Sequence, residues 1–491
     1  MNRTQWISKS RGLHRFIGWV AAAALFLFIC SGLMHILMVW TGPQSAKFFG
    51  PQTTIQADEL SNVPAILSSQ NISQAQLIQV VPTEQGNALQ VTESSSSRRY
   101  FSLQTGEEWP NYDEQQARWL ARYFTGLEQA PIQSVTLQEN FDNQYPWVNR
   151  LLPVYRITFD TPDQRTAYIY TEFAALAGLT NNWKNTVQGL FQTFHTWQWL
   201  ENIAEPVRLA LMLTLLGGLG LMIISGFGLR LAMPARRIPQ AGRRWHRRLS
   251  LWILIPLLAF LISGIWHLLT YSGNERQQGL QLPDVISLPK MGEVARAEWL
   301  EDYQQQPVQA ITLMQGPDNQ LLYRVALPEG SMDQHVGHHQ RFDGQSTEQP
   351  ARYYDVVSAQ PVAITDSEIA SYWAKRHSGF EDPDINNIQR ISHFGPEYDF
   401  RNKRLPVWRV DFNDLNKTSL FIDAASGLLV DQSDASQRLE GNVFATLHKW
   451  AQLGHLWGQG PRDALMLLVV LSILGFAVVG IRMLRRRQTN Q

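Results

Sequence analysis

The sequence predicts a membrane protein with four transmembrane α-helices and two large α+β domains outside the bilayer, the whole internally duplicated. Blocks 16–40, 209–229, 249–271 and 464–481 contain no Asp, Glu, Lys or Arg, and each is near or above the ~18–20 residues that span a hydrocarbon core. A mean hydropathy of −0.20 assigns most of the remaining mass to water-soluble domain. Long stretches also recur at constant offsets, the signature of a repeat.

In chain order, residues 1–15 form a basic cytoplasmic segment carrying Arg3, Lys9, Arg11 and Arg15. The first span follows at 16–40. Its 25 uncharged residues exceed the roughly 7–15 of a cleavable signal core, and no small-residue cleavage site precedes Trp40, Thr41 and Gly42, so it stays as an anchor. The first soluble domain occupies 41–206 and the second span 207–229. A link at 230–248 brings seven arginines, the third span covers 249–271, the second soluble domain 272–462 and the fourth span 463–481. The tail 482–491 adds four more arginines.

None of the three basic segments contains Asp or Glu. The positive-inside rule therefore places them, and both termini, in the cytoplasm. The net charge of zero resolves into +15 inside and −15 outside. An acidic exterior suits cationic ligands or a solvated surface and excludes nucleic acid as a partner. Cys30 is the single cysteine and lies in the first span, so no intramolecular disulfide forms.

Leu152-Pro153-Val154-Tyr155-Arg156-Ile157-Thr158-Phe159 returns as Leu405-Pro406-Val407-Trp408-Arg409-Val410-Asp411-Phe412, an offset of 253. At the same offset Asp113 to Arg122 matches Asp366 to Lys375. The spans repeat at an offset of 232: His14-Arg15, Ser31-Gly32 and His35 recur as His246-Arg247, Ser263-Gly264 and His267. In each soluble domain the periodicity predicts a helix (112–126, then 366–377) followed by paired strands (152–159 with 166–173, then 405–412 with 418–423). Turns are expected at Thr161-Pro162-Asp163 and Ser426-Gly427. Segments 58–60 with 96–107, and 306–314 with 320–344, suggest a further small α/β unit in each copy.

Six of the twelve histidines form three repeat-related pairs: His14 with His246, His35 with His267, and His195 with His448. A histidine in or at the rim of a membrane helix is costly and is a functional candidate by default. Twenty-one residues separate His14 from His35, and His246 from His267, which is about 31 Å along a helix. Each of these helices thus offers one imidazole near the cytoplasmic rim and one near the exterior rim. Imidazoles on facing helices at equal depth are what a bis-histidine haem requires. The cytoplasmic rim offers only His14 and His246; the exterior rim offers His35, His267, His195 and His448, enough for one haem with two spare histidines or for two haems. His455, seven residues after His448, is a weaker ligand candidate.

Other readings stand beside these. His14 and His246 also suit interfacial anchoring to lipid head groups, and His35 and His267 suit hydrogen bonds between helices. Ser31-Gly32 and Ser263-Gly264 permit close helix packing and equally leave room for a flat macrocycle. His335-Val336-Gly337-His338-His339 reads as a solvated loop, and His377 and His393 as surface or structural residues. No protease motif, phosphate loop, G-x-G-x-x-G fingerprint or pair of catalytic carboxylates stands out, and the cytoplasmic segments are too short for a flavin or nicotinamide domain. Electrons for any redox chemistry must then come from a separate cytoplasmic reductase or from quinol.

Leu13-His14-Arg15-Phe16-Ile17-Gly18, Phe194-His195, Leu447-His448 and the strand ending Leu420-Phe421-Ile422-Asp423-Ala424-Ala425-Ser426-Gly427-Leu428-Leu429 resemble the PepSY-associated transmembrane family, formerly described as iron-regulated membrane proteins. The resemblance covers essentially the whole chain. It departs in the first copy, where Tyr168-Ile169-Tyr170-Thr171-Glu172 replaces the acidic strand end, and at Ser250, which stands where the first helix has Gly18. The resemblance implies PepSY-like periplasmic domains on a bacterial inner-membrane protein. It further implies two or more b-type haems and outward electron transfer to a periplasmic acceptor, best a ferric siderophore. The alternative is a non-redox, membrane-anchored PepSY module that binds peptides or regulates a periplasmic protease; a transporter subunit is disfavoured by the lack of membrane-embedded acidic residues.

Overall fold

A computed structural model describes residues 3–70, 72–94, 97–233, 241–271, 281–288, 303, 308–327, 335–344, 351–380 and 383–488. Residues 234–240 of the basic link, and 306–307 and 328–334 of the expected small unit, lie outside the described residues. The chain opens with α1 (Arg3–Phe16), α2 (Gly18–Thr41) and α3 (Ala57–Ser69). Strands β1 (Gln74–Ala75), β2 (Leu77–Thr83), β3 (Gly86–Ser94) and β4 (Ser97–Ser102) precede α4 (Tyr112–Thr125). Next come β5 (Ile132–Gln138), β6 (Val154–Phe159), β7 (Thr166–Tyr170) and β8 (Ala175–Thr180), then helices α5 (Asn182–Phe191), α6 (Gln198–Ala232), α7 (Ala241–Trp252) and α8 (Leu254–Tyr271). The second half runs through β9 (Ile286–Ser287), β10 (Ala310–Gln315), β11 (Leu321–Ala326), β12 (Ala351–Asp355), β13 (Pro361–Val362) and α9 (Asp366–Ser378). It ends with β14 (Ile385–Ile391), β15 (Val407–Phe412), β16 (Ser419–Asp423), β17 (Leu428–Ser433), α10 (Ala435–Val443), α11 (Ala451–Trp457) and α12 (Gln459–Gln488).

These elements divide into two units. One joins Met1–Gly42, Trp183–Glu275 and Gln437–Gln491; the other joins Pro43–Asn182 and Arg276–Ser436. In the helical unit, three helices among the described residues are long and apolar enough to cross a membrane: Gly18–Thr41, Ile203–Ala232 and Gln459–Arg485. The pair α7 and α8, bent by 58° at Ile253, makes up to four if it counts as one span. Ala21, Leu25, Leu219, Leu257, Leu261, Ile473 and Ala477 form the shared interior, while Ile224, Leu231, Ile255 and Leu468 point outward, as lipid-facing side chains do. Helices approach closely where Cβ atoms are missing: a methyl on Gly18 would stand 3.2 Å from Leu484, and one on Gly218 3.1 Å from Val20. That is the small-residue packing on which helix association in lipid depends.

The second unit contains two four-stranded antiparallel sheets, β5-β6-β7-β8 and β14-β15-β16-β17. Their registers coincide at the offset of 253. Tyr155 faces Ile169 as Trp408 faces Ile422, and both sheets carry the same two irregularities, at Ile132/Ser134 and Tyr168/Ile169 and at Ile385/Asn387 and Phe421/Ile422. On one face α4 lays Ala117, Leu120 and Ala121 against Ile157, Phe159 and Ile169. The equivalent face of α9 lays Ala370, Trp373 and Ala374 against Val410, Phe412 and Ile422. Both helices stop at a glycine in the left-handed region, Gly126 (φ 70°) and Gly379 (φ 66°), where a side chain would be strained.

The expected small α/β unit in each copy is not built as two separate pieces. The segments merge into one seven-stranded sheet of order β13-β12-β11-β10-β2-β3-β4, sewn together where Thr312 and Leu313 pair with Gln79 and Ile78. Joining the strands lets α3 and both halves share one core around Val63, Leu89, Leu313 and Val325, a larger apolar face than either half has alone.

Ion pairs clip each helix start to this sheet by different routes. In the first copy Tyr100 donates to Asp113 (2.6 Å) and Arg98 lies between Asp113 (3.3 Å) and Glu172 (2.6 Å), with Thr92 donating to Glu172 as well. Glu172, the last residue of the segment that replaces the acidic strand end in this copy, is fully buried and serves this network. In the second copy Arg324 donates twice to Asp366 (3.0 and 2.7 Å), joined by Tyr353 (2.5 Å). Burial would raise the Asp366 carboxyl, but the Arg324 charge and these hydrogen bonds hold it below the usual carboxylate range.

Replacing Glu172 by Ala removes the nearer of the two carboxylates that Arg98 holds and leaves Asp113 at 3.3 Å, and breaking a buried pair in this way costs about 3–5 kcal/mol; a lowered denaturation midpoint of the detergent-solubilised chain checks this. For Asp366 the sign follows from its lowered pKa. The ionised carboxylate stabilises the fold above the ordinary value of 3.8, and this contribution disappears as pH falls through the lower folded-state value. Asp366→Asn should therefore be less stable than the parent at neutral pH, and the gap should narrow as unfolding is measured towards pH 2.

Candidate functional site

The six repeat-related histidines all belong to the helical unit. His14 sits on α1, which continues into α2 through helical hydrogen bonds from Ile17 N to Leu13 O (3.0 Å) and Ala21 N to Ile17 O (2.9 Å). Its Nδ1 lies 2.9 Å from Ser225 Oγ of α6. His246 of α7 approaches it with ring centroids 6.5 Å apart and planes at 73°, and stacks on Phe476 of α12 at 4.4 Å. A methyl on Gly226 would come within 3.0 Å of His14 Cε1, so the absence of a side chain there gives the ring its place. Among the described residues His246 Nδ1 is buried with no hydrogen-bond partner, a costly condition for a polar atom.

The second cluster is built twice. His195 and His448 each ride on a single π-helical turn, Gln192–Thr196 and Phe444–His448; such bulges recur at functional sites. Each turn is followed by a tryptophan in the left-handed region, Trp197 (φ 54°) and Trp450 (φ 51°), an unusual conformation for a bulky residue. Both indoles donate back into the turn, to Phe194 O and Leu447 O, at 3.1 Å. His195 Nδ1 then meets Ser31 Oγ at 2.9 Å, and His448 Nδ1 meets Ser263 Oγ at 3.1 Å. Phe191 and Phe444 stack on these two rings at 4.7 and 4.5 Å, and the same phenylalanines face His35 and His267 at 5.5 and 4.2 Å.

The serines decide the tautomer. Ser31 donates to Leu27 O (2.6 Å), Ser263 to Ala259 O (2.7 Å) and Ser225 to Met222 O (3.1 Å). A hydroxyl has one hydrogen to give, so each Oγ accepts from Nδ1–H. The Nε2 of His14, His195 and His448 is then left with its lone pair. His267 reaches the same state through a carboxylate, its Nδ1 lying 2.6 Å from Glu440 Oε1. A metal-bound histidine characteristically donates its other ring nitrogen in this fashion.

Of the expected pairs, His14 stands beside His246, whereas the shared phenylalanines join His35 to His195 through Phe191 and His267 to His448 through Phe444, within each half and not between repeat-related partners. His35 is the exposed member. The His455 side chain lies outside the described residues. In the second unit His335 pairs with Asp343 (2.6 Å), and His377 donates to Gly427 O (2.9 Å). Burial, with His339 and Arg341 nearby, pushes His338 down to about 4. Among the described residues no group of three or more His, Cys, Asp or Glu converges as a metal site; a bis-histidine site asks for two. Two imidazoles on one metal through bonds of about 2 Å stand with centroids roughly 6 Å apart, so the spacing of His14 and His246, the orphaned His246 Nδ1 and the cradle at Gly226 fit such a pair.

Sequence reasoning missed Ser225, Phe476, Phe191, Phe444 and Glu440. The two stacking phenylalanines obey the 253 offset and were open to discovery as Phe191/Phe444. Glu440 has Val187 as its counterpart and was invisible to a search for repeated residues.

The serine clamp predicts that His195 and His448 are Nδ1–H tautomers. Nitrogen-15 spectra of histidine-labelled protein should show both, and Ser31→Ala and Ser263→Ala should each release one ring into a mixture of tautomers while the other stays unchanged.

Comparison with curated proteins finds no match. A family model described as the PepSY-associated TM region matches residues 70–487, a stretch that takes in the π turns, three of the membrane-crossing candidates and nearly all of the second unit. With apolar helices, α+β sheets and that match together, the chain is a multi-pass membrane protein that belongs to the PepSY-associated transmembrane family.

Proposed function

We propose that this chain is a b-type haem protein of the bacterial inner membrane that passes electrons to an acceptor on the periplasmic side, foremost ferric iron in a siderophore complex. The observation that carries this reading is the set of four imidazoles whose Nδ1 is held by a serine or a carboxylate, leaving Nε2 to bind a metal. His14 and His246 would hold one haem, and His35, His195, His267 and His448 would supply the ligands for one or two more.

Haem bound there supplies reversible one-electron transfer. The side chains do the rest. The serines hold the ring planes in one orientation, Phe476, Phe191 and Phe444 cover ring faces and exclude water, and Trp197 and Trp450 brace the π turns that present His195 and His448. Each ferric ion reduced to ferrous takes one electron from a cytoplasmic reductase or from quinol. Siderophores hold ferrous iron weakly, so reduction would also release the metal. Counting α7 and α8 as one bent span gives four spans, and the basic charge of residues 1–15, 230–248 and 482–491 supports cytoplasmic termini.

Protein produced with ample haem should give a b-type reduced-minus-oxidised absorbance spectrum. His14→Ala and His246→Ala should each lose the same single haem, and the double variant should lose no more. Absence of any haem signal in the unmodified protein would reject the redox reading and leave a membrane-anchored peptide-binding module.

A further inference from the structure

The two halves of the helical unit treat their second histidine differently. In the first half, the residue that corresponds to Glu440 at the 253 offset is Val187, buried and apolar. In the second half it is Glu440, whose side chain is 5% exposed. Glu440 Oε1 accepts from His267 Nδ1 at 2.6 Å, and Phe444, one turn further along the chain, stacks on the same ring at 4.2 Å with planes at 21°. One residue therefore grips the edge of the imidazole and the other its face, and the remaining nitrogen is Nε2.

A carboxylate behind an imidazole does more than orient it. By drawing on the Nδ1 proton it makes the ring a stronger donor, which favours ferric over ferrous iron on the opposite nitrogen. A serine hydroxyl, as at His195 and His448, carries no charge and has a much smaller effect. Resting on the haem reading above, we propose that Glu440 is a positioning residue that locks His267 as an iron ligand and, through its negative charge, lowers the reduction potential of the haem it serves. The periplasmic site is then asymmetric by construction, with the His267 side the stronger reductant towards an acceptor.

The test compares the intact chain with Glu440→Gln, Glu440→Ala and Val187→Glu, reading haem stoichiometry, reductive titration by absorbance and the ferric low-spin electron paramagnetic resonance signal. Gln keeps an acceptor for Nδ1–H but removes the charge. It should retain the haem content while one midpoint potential rises, a tenfold loss of ferric preference corresponding to about 59 mV for one electron. Ala removes charge and hold together, and should weaken binding of that haem about 10–100-fold. Val187→Glu should lower a potential in the other half. Unchanged potentials and resonance signals in both Glu440→Gln and Glu440→Ala, with haem content intact, would overturn the role of Glu440. A haem-free parent protein would instead overturn the underlying reading, and this inference with it.

Discussion

The helical unit turns on a constraint of one hydrogen atom. A serine in a membrane helix satisfies its hydroxyl by donating to a carbonyl of the preceding turn, and once that is done its oxygen can only accept. Ser31, Ser225 and Ser263 all donate in this manner, and each receives an imidazole Nδ1–H from a different helix or turn. The bond ties two segments across the interior and, at the same time, selects the tautomer that exposes Nε2. Packing and chemistry are set by the same proton, and neither can be altered alone.

Around that clamp the structure spends unusual backbone. A π turn shifts the phase of the helix so that His195 or His448 points at a serine, and the tryptophan after it adopts a left-handed conformation to turn the chain into the next helix. A regular α-helix through the same residues would rotate the imidazole away from its partner. The two halves repeat this device down to the stacked phenylalanine, and then differ at single positions. Val187 stands against Glu440, and a methyl on Gly32 would touch His195 at 3.7 Å where Gly264 has open space. A shared scaffold with local differences is a means of giving two similar sites unequal properties.

The second unit follows the same logic with different forces. Its two four-stranded sheets keep one register and one set of irregularities, because a slip of one residue would send every core side chain to the wrong face. The aspartates at the two helix starts each meet a cationic partner by a different contact: Arg98, shared with Glu172, pairs with Asp113, and Arg324 pairs with Asp366.

The sequence by itself determined the long apolar runs, the basic segments, the two offsets and the repeat-related positions of six histidines, because each rests on local pattern: runs of uncharged residues, unopposed arginines and identical spacing. The central strand pair and the helix of each copy were legible for the same reason, since alternation and turn residues are local, while the outer strands β5, β8, β14 and β17 that complete each four-stranded sheet were not. Only the tertiary structure decided that the small units fuse into a seven-stranded sheet, that His195 and His448 pair with serines about 165 to 185 residues away, and that Glu440 stands behind His267. Those outcomes depend on which faces meet in space and which polar atom needs a partner once buried. A pattern read along the chain carries no information on either until the chain has folded.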